Sequence, residues 1–236
     1  MNLLFDIGCN RGKYTQDILR AFPECSVVCV EPQAGLASHL NVIFKNQINT
    51  GQIFVYEKAA SNTEGSINLY PASDDTIATT SEEFRENSCF AVSEKIMSNG
   101  KMFKDHYSFY DPVPVDTITI DSLISTHGVP DRIKLDVEGH EHEALLGLSE
   151  KVPSVTFEWH ETLKHKVLDA VGHLHSIGFT EFSTEIWYFS REYHDNEITD
   201  YKTKEDFATW FVASLNDAPP INQREWVNRG GMVWAR

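Results

Sequence analysis

The chain is short of positive charge. Twenty lysines and arginines stand against 35 aspartates and glutamates, a net charge of −15 over 236 residues. A partner held through its phosphates needs Lys and Arg to displace counterions, so nucleic acid is not an expected ligand. Long apolar runs are missing too, and no membrane-spanning helix is expected. The start, Met1-Asn2-Leu3-Leu4-Phe5-Asp6, has no basic segment and meets an aspartate after three apolar residues. No signal peptide is expected there, and the cytoplasm is the expected address. Cysteine is scarce. Cys9, Cys25, Cys29 and Cys89 form no CxxC and no zinc spacing, and they read as buried or incidental thiols of a reducing compartment. Internal repeats and low-complexity tracts are absent as well.

What is present is an α/β pattern. Apolar residues make up 41 %, enough for a sizeable core. Residues 3–7, 26–30 and 53–56 read as strands, and residues 13–22 and 36–44 as helices with apolar positions on one face. That alternation implies a mostly parallel sheet with right-handed crossovers. Further strands are expected at 132–137, 154–159, 179–182 and 232–234, with helices at 140–148, 163–177 and 204–215. The length suits one domain spanning 1–236. Residues 62–115 read as an insertion or lid after the third strand, with a short strand at 67–70 and one amphipathic helix over 82–97. Thr117 to Ser125 restarts the order with a short strand and a helical turn at Asp121-Ser122-Leu123-Ile124. A second insertion is expected at 190–228.

Four motifs carry the chemistry. In Phe5-Asp6-Ile7-Gly8-Cys9-Asn10-Arg11-Gly12-Lys13-Tyr14-Thr15 an apolar strand runs through a glycine-bearing turn into a helix. Ligands of such sheets bind at the carboxyl ends of the strands, and Gly8 and Gly12 remove side chains where the backbone bends or nears a ligand. The dinucleotide fingerprint would want glycine at positions 10 and 13; Asn10 and Lys13 stand there, so a cofactor without phosphates fits better. Glu31 ends the second strand nineteen residues past Gly12, close to the roughly 20 expected of a ribose-binding acid.

Asp136 and Glu138, in Lys134-Leu135-Asp136-Val137-Glu138-Gly139-His140-Glu141, point the same way if the fourth core strand persists that far. Glu158 and His160 share a face at the end of the next strand. If the two strands are neighbours, the four side chains meet as an acid/base site or a metal site. Glu141 opens the following helix, where a carboxylate is favoured in any protein. His140 and His142 point apart on that helix, and the histidines other than His160 read as surface residues.

Taken in order, these motifs resemble the FkbM family of methyltransferases. The resemblance rests on residues 6–15, on Val30-Glu31-Pro32, on Ala59-Ala60-Ser61 with Gly65 beyond, on residues 134–141 and on Phe157-Glu158-Trp159-His160, and spans roughly residues 3–178. It implies a Rossmann-like class I methyltransferase fold, S-adenosylmethionine as cofactor, and O-methylation, often of sugar hydroxyls in glycans, glycolipids or natural products. By that resemblance Asp6, Gly8, Asn10, Thr15 and Glu31 line the cofactor, with Gly12, Tyr14 and Pro32 in the same loops. Ala59 stands beside the adenine and Asp136 near the transferring methyl. The helical lead-in common in relatives is absent, and the segments 74–114 and 190–226 match nothing in the family pattern, so acceptor choice is expected to lie there.

The expected chemistry is transfer of an activated methyl to a hydroxyl whose proton must be taken up. His160 is the first expected base and Asp136 the second, with Glu158 in the same catalytic cluster. A divalent cation on Asp136, Glu138 and Glu158 is the less favoured way to acidify the hydroxyl. Two other readings stay open. One is a nicotinamide-dependent sugar-modifying oxidoreductase, against which Asn10 and Lys13 count. The other is a non-catalytic Rossmann-like binding subunit. The expected partner is a small-molecule or glycan acceptor; oligomeric state is left open.

Overall fold

The computed structural model describes residues 1–96, 99–189, 196–216 and 228–236. The chain opens with β1 (Leu3–Ile7), α1 (Lys13–Ala21), β2 (Ser26–Val30), α2 (Ala34–Ile43), α3 (Lys45–Asn49) and β3 (Ile53–Tyr56). A middle stretch holds β4 (Ala59–Ala60), β5 (Ser66–Leu69), α4 (Glu82–Asn87), α5 (Cys89–Val92), β6 (Val113–Ile118) and α6 (Ile120–His127). Then come β7 (Arg132–Leu135), α7 (Glu141–Leu145), β8 (Val155–His160), α8 (Lys164–Ser176), β9 (Phe182–Phe189), β10 (Asn196–Ile198), α9 (Lys204–Asn216) and β11 (Asn228–Ala235).

The main sheet runs β10-β9-β11-β8-β7-β1-β2-β3. Strands β3, β2, β1, β7 and β8 are parallel to one another. β11 is reversed and pairs antiparallel with both β8 and β9. β2 is apolar on both sides because each face is covered, whereas β7 and β8 alternate, with Lys134, Thr156, Glu158 and His160 at every second position. Phe5 and Ile7 of β1, with Val28, Val30, Ile133 and Leu135, pack under helices α6 to α9. Leu4, Val27, Cys29 and Ile53 turn the other way and pack with Ile18, Leu40 and Phe44 of the α1–α2 side. A mostly parallel sheet with helices on both faces and one reversed strand next to the last parallel one is the Rossmann-like class I methyltransferase fold that the resemblance implied. Among the described residues, no helix is long and apolar enough to cross a membrane. All four cysteines are buried, and none of them is in a disulfide.

Several boundaries differ from the sequence reading. The helix expected over 82–97 divides at Ser88: Ser81 caps α4, with its Oγ accepting from the Phe84 amide at 3.1 Å, and α5 is a separate turn. The fourth core strand stops at Leu135, so Asp136 and Glu138 do not share a strand face. The turn expected at 121–124 is the helix α6, and the strand before it begins earlier, at Val113. The strand expected at 179–182 begins at Phe182. Of the expected insertion 190–228, residues 190–195 and 217–227 lie outside the described residues; β10 and α9 stand between them.

Candidate active site

A cavity of about 240 Å³ opens at the carboxyl ends of β1, β2, β7 and β8. Its walls include Gly8, Asn10, Glu31, Pro32, Ala59, Asp136, Glu138 and Glu158, and its roof comes from Leu69, Asp75, Thr76, Ala78 and Thr80 of the middle stretch. Gly8 is required where it stands. Its φ is +73°, and a Cβ there would fall 1.8 Å from the Asp136 carbonyl oxygen. The first motif and the chain leaving β7 are thereby in backbone contact.

At one end of the cavity, the Glu31 carboxylate is 3 % exposed and accepts the backbone N–H of Asn10 and of Gln33, each at 2.9 Å. Burial pushes its pKa up to about 6, against the pull of those hydrogen bonds. Each carboxylate oxygen keeps a second lone pair for a ligand hydroxyl. Ile7, Val30, Ala59, Ala60 and Leu69 add apolar surface.

The opposite end is acidic. Asp136 keeps 36 % of its side-chain surface open and is paired with Lys134 at 3.2 Å. Burial would raise the Asp136 pKa, but the Lys134 ammonium outweighs it and holds the carboxyl below its usual range. Burial pushes Glu138 up to about 7, and it pushes Glu158 well above the usual carboxylate value with help from the charges of Asp136 and Glu138. Behind them lies His160, 3 % exposed, with Nε2 at 3.1 Å from Glu158 and 3.3 Å from Glu138. Burial opposes a charge on His160, yet the two carboxylates outweigh it and its pKa lies well above the ordinary histidine value. Glu138, Glu158 and His160 bring ligand atoms within 4.8 Å of one another, a spacing that suits a cation. The two carboxylates draw that nitrogen toward its protonated form, however, and a protonated nitrogen offers a metal no lone pair.

The expected site residues fall into two groups. Gly8, Asn10, Glu31, Pro32, Ala59, Asp136 and Glu158 meet around the cavity, while Asp6, Gly12, Tyr14, Thr15 and His160 stand outside its lining. Asp6 is fully buried, accepts from Thr15 Oγ1 at 2.6 Å and sits 3.4 Å from Lys134 Nζ. Gly12 precedes α1 and packs on Leu40 and Phe44, and the Tyr14 ring lies 5.8 Å from Lys134 Nζ. Not every other histidine is on the surface. Burial pushes the His140 pKa down to about 4, and His127 packs against Phe5, Phe54 and Tyr56.

Sequence reasoning missed Lys134 as a hub. Its ammonium donates to the Gly8 carbonyl at 3.0 Å and faces Asp6 and Asp136. The signal was a lysine between the core residues Ile133 and Leu135. It also missed Asp75, whose carbonyl accepts from Asn10 Nδ2 at 3.1 Å and Gln33 Nε2 at 2.9 Å, and whose carboxylate pairs with Arg11. No local pattern marks that residue.

These walls fit S-adenosylmethionine. Glu31 offers acceptors to ribose hydroxyls, the apolar strip suits an adenine, and the carboxylates at the other end suit a sulfonium. No arginine lines the cavity and Lys58 is its one lysine, so a pyrophosphate finds no basic cradle among the described residues.

Among solved structures the chain is similar to a precorrin-6y C5,15-methyltransferase from Geobacter metallireducens, at 10 % identity, covering 100 % of this chain and 78 % of that one, with a TM-score of 0.41. It is similar also to an S-adenosylmethionine-dependent O-methyltransferase from Thermotoga maritima (11 % identity, 99 % and 58 % covered, TM-score 0.40). A third is the O-methyltransferase of a polyketide synthase multienzyme of Brevibacillus brevis, solved with S-adenosyl-L-homocysteine (10 % identity, 99 % and 65 % covered, TM-score 0.42). The chain thus spans less than two thirds of the last two. No curated protein sequence matches it. The model of the methyltransferase FkbM domain matches residues 6–194, most of the chain. The chain belongs to the FkbM methyltransferase family and is an S-adenosylmethionine-dependent methyltransferase.

Proposed function

We propose that this methyltransferase methylates a hydroxyl group of a sugar or glycan. The observation that carries the reading is the convergence of Asp136, Glu138 and Glu158 at the end of the cavity opposite Glu31. A hydroxyl must lose its proton as it is methylated, and these carboxylates are the groups positioned to take it. They also repel phosphate- or carboxylate-bearing acceptors and match a neutral, hydroxyl-rich one, because protonated and ionised carboxyls donate and accept hydrogen bonds.

The bound cofactor supplies a methyl already activated on sulfur. The rest falls to the chain. Glu31 and the Asn10 loop hold the ribose end, and Ala59 with Val30 flanks the adenine. Lys134 keeps Asp136 ionised toward the sulfonium. Roof residues 75–80 keep water out and face the acceptor. His160, the first expected base, lies behind Glu138 and Glu158 and outside the cavity lining, so its part in this reading is to orient those two. Holding the acceptor oxygen, methyl carbon and sulfur in line supplies a large share of the rate gain.

Incubation with methyl-labelled cofactor and a panel of free sugars and glycans tests the reading. Label transfer to a hydroxyl of one member supports it; transfer only to amines or carboxylates overturns it. S-adenosylhomocysteine should raise the melting temperature by mass action, and NAD should not.

A further inference from the structure

The chain that leaves β7 makes an unusual turn. Glu138 has φ +54°, one of two non-glycine residues with positive φ among the described residues; the other is Asn10. A side chain in that region costs free energy at the backbone, and glycine sits there at no such cost. Gly139 follows at φ +88°, yet position 138 keeps a glutamate. The surroundings hold the turn from three sides. Thr79 Oγ1 donates to the Glu138 carbonyl at 2.6 Å from the roof segment. Lys166 of α8 donates to the Gly139 carbonyl at 2.9 Å. The Glu141 carboxylate accepts the amides of Val137 at 3.0 Å and Gly139 at 3.3 Å.

Three side chains from three elements thus fix a backbone conformation that disfavours the residue placed in it. Strain that is over-determined in this way is found where a side chain must be aimed. The Glu138 side chain lines the cavity and lies 3.3 Å from His160 Nε2. Of its two neighbours, Asp136 is held in an ion pair with Lys134 at 3.2 Å, and Glu158 lies closer to His160, at 3.1 Å, and deeper, with 9 % of its side chain exposed against 14 % for Glu138.

We propose that Glu138 is a catalytic residue: its carboxylate meets the reacting hydroxyl beside the sulfonium methyl and takes the hydroxyl proton. The inference rests on the methyltransferase reading of the cavity. In the step, Glu138 receives the proton while a lone pair of the acceptor oxygen forms the new carbon–oxygen bond. The electrons of the broken carbon–sulfur bond stay on sulfur, which becomes a neutral thioether. A carboxylate whose pKa is near the working pH suits that task, and burial pushes Glu138 up to about 7.

The test uses two cofactor analogues and needs no acceptor. S-adenosylhomocysteine has no methyl and no charge on sulfur. Sinefungin carries a protonated amine at the place of the methyl. A carboxylate facing that place should favour sinefungin over S-adenosylhomocysteine in calorimetric titration of the wild-type chain. In Glu138→Gln the sinefungin affinity should fall by about tenfold or more, the reach of a lost hydrogen bond between charged groups, while S-adenosylhomocysteine affinity holds within about twofold. Glu138→Gly should melt no lower than wild type, because glycine relieves the backbone.

An unchanged ratio of the two affinities in Glu138→Gln would overturn the proposal. So would a Glu138→Gly variant that melts several degrees lower, since the glutamate would then be there for the fold. If wild type binds neither analogue, the reading of the cavity fails first, and the two failures are told apart.

Discussion

Glu31 is the residue on which cofactor affinity is expected to turn. Replacing it by alanine should weaken S-adenosylhomocysteine binding by about 1.5–3 kcal/mol, the range for hydrogen bonds to a charged group, with the fold intact. The same residue gives a pH prediction. Burial raises its pKa from 4.5 to about 6, so Glu31 takes up a proton at a higher pH than an exposed glutamate, and the ionised form is the one that accepts two ribose hydroxyls. Affinity should therefore weaken as pH falls through about 6, and Glu31→Gln should flatten that profile. Calorimetry at several pH values decides; a wild-type profile flat through that window would remove Glu31 from the ribose. His160 carries a different expectation. Removing it leaves Glu138 and Glu158 buried side by side without their cation, which should cost about 3–5 kcal/mol in denaturant unfolding. Chelator should leave methyl transfer unchanged, because the two carboxylates draw the nitrogen between them toward its protonated form. A loss restored by a divalent ion would give the triad to a metal instead.

Among the elements, the roof segment and the turn after β7 work as a unit. Phe84 of α4 is fully buried, and its ring meets His160 at 4.9 Å and Phe109 at 6.5 Å. A Cβ on Gly139 would come within 2.7 Å of Phe84. Phe84→Ala should cost about 3–5 kcal/mol, the usual figure for a buried aromatic, and hydrogen exchange should rise in residues 75–81 and 136–140 together. Exchange confined to α4 would show that the two segments are not coupled. The contrast with the strands explains what was legible. The apolar runs of β1 and β2 announced themselves because strands buried on both faces have few other compositions, and β7 and β8 showed by alternation. The roof did not. Ser81, Thr79 and Asp75 act through hydrogen bonds to residues 42 to 65 positions away or within their own cap, and such bonds leave no periodicity. Asp136 and Glu138 were placed on one strand face because the sequence shows alternation but not where alternation stops. Both reach the cavity all the same, by a turn.

At the scale of the whole molecule, the sheet order was within reach of the motif order, since strand–helix–strand alternation leaves few topologies. The position of β11 was not. Its pairing with β8 and β9 is set by contacts across the chain, from Asn228 to Phe189 and from Ala235 to Val155. Net charge is a whole-molecule property too. At −15, and with an acidic cavity, the chain should show no mobility shift with duplex DNA or RNA at physiological salt. A stable shift would reopen the question of the acceptor.

The reversed strand has a consequence for assembly. β11 is the last strand in chain order, yet it lies inside the sheet, between β8 and β9. Until it arrives, the β8 edge and the β9 edge are both bare rows of amides and carbonyls, and the sheet is two pieces. The half β3-β2-β1-β7-β8 is itself joined by a distant pairing, Leu4 with Arg132. β11 leaves synthesis last and pairs with β8 and β9, as Gly230 with His160 and Asn228 with Phe189, non-local pairing of the slow kind. A nascent or refolding chain therefore passes through a form with two sticky edges, which another chain can fill in place of its own β11. Yield on refolding should fall with protein concentration, and supplying the strand as a free peptide, residues 228–236, should rescue a chain that lacks it.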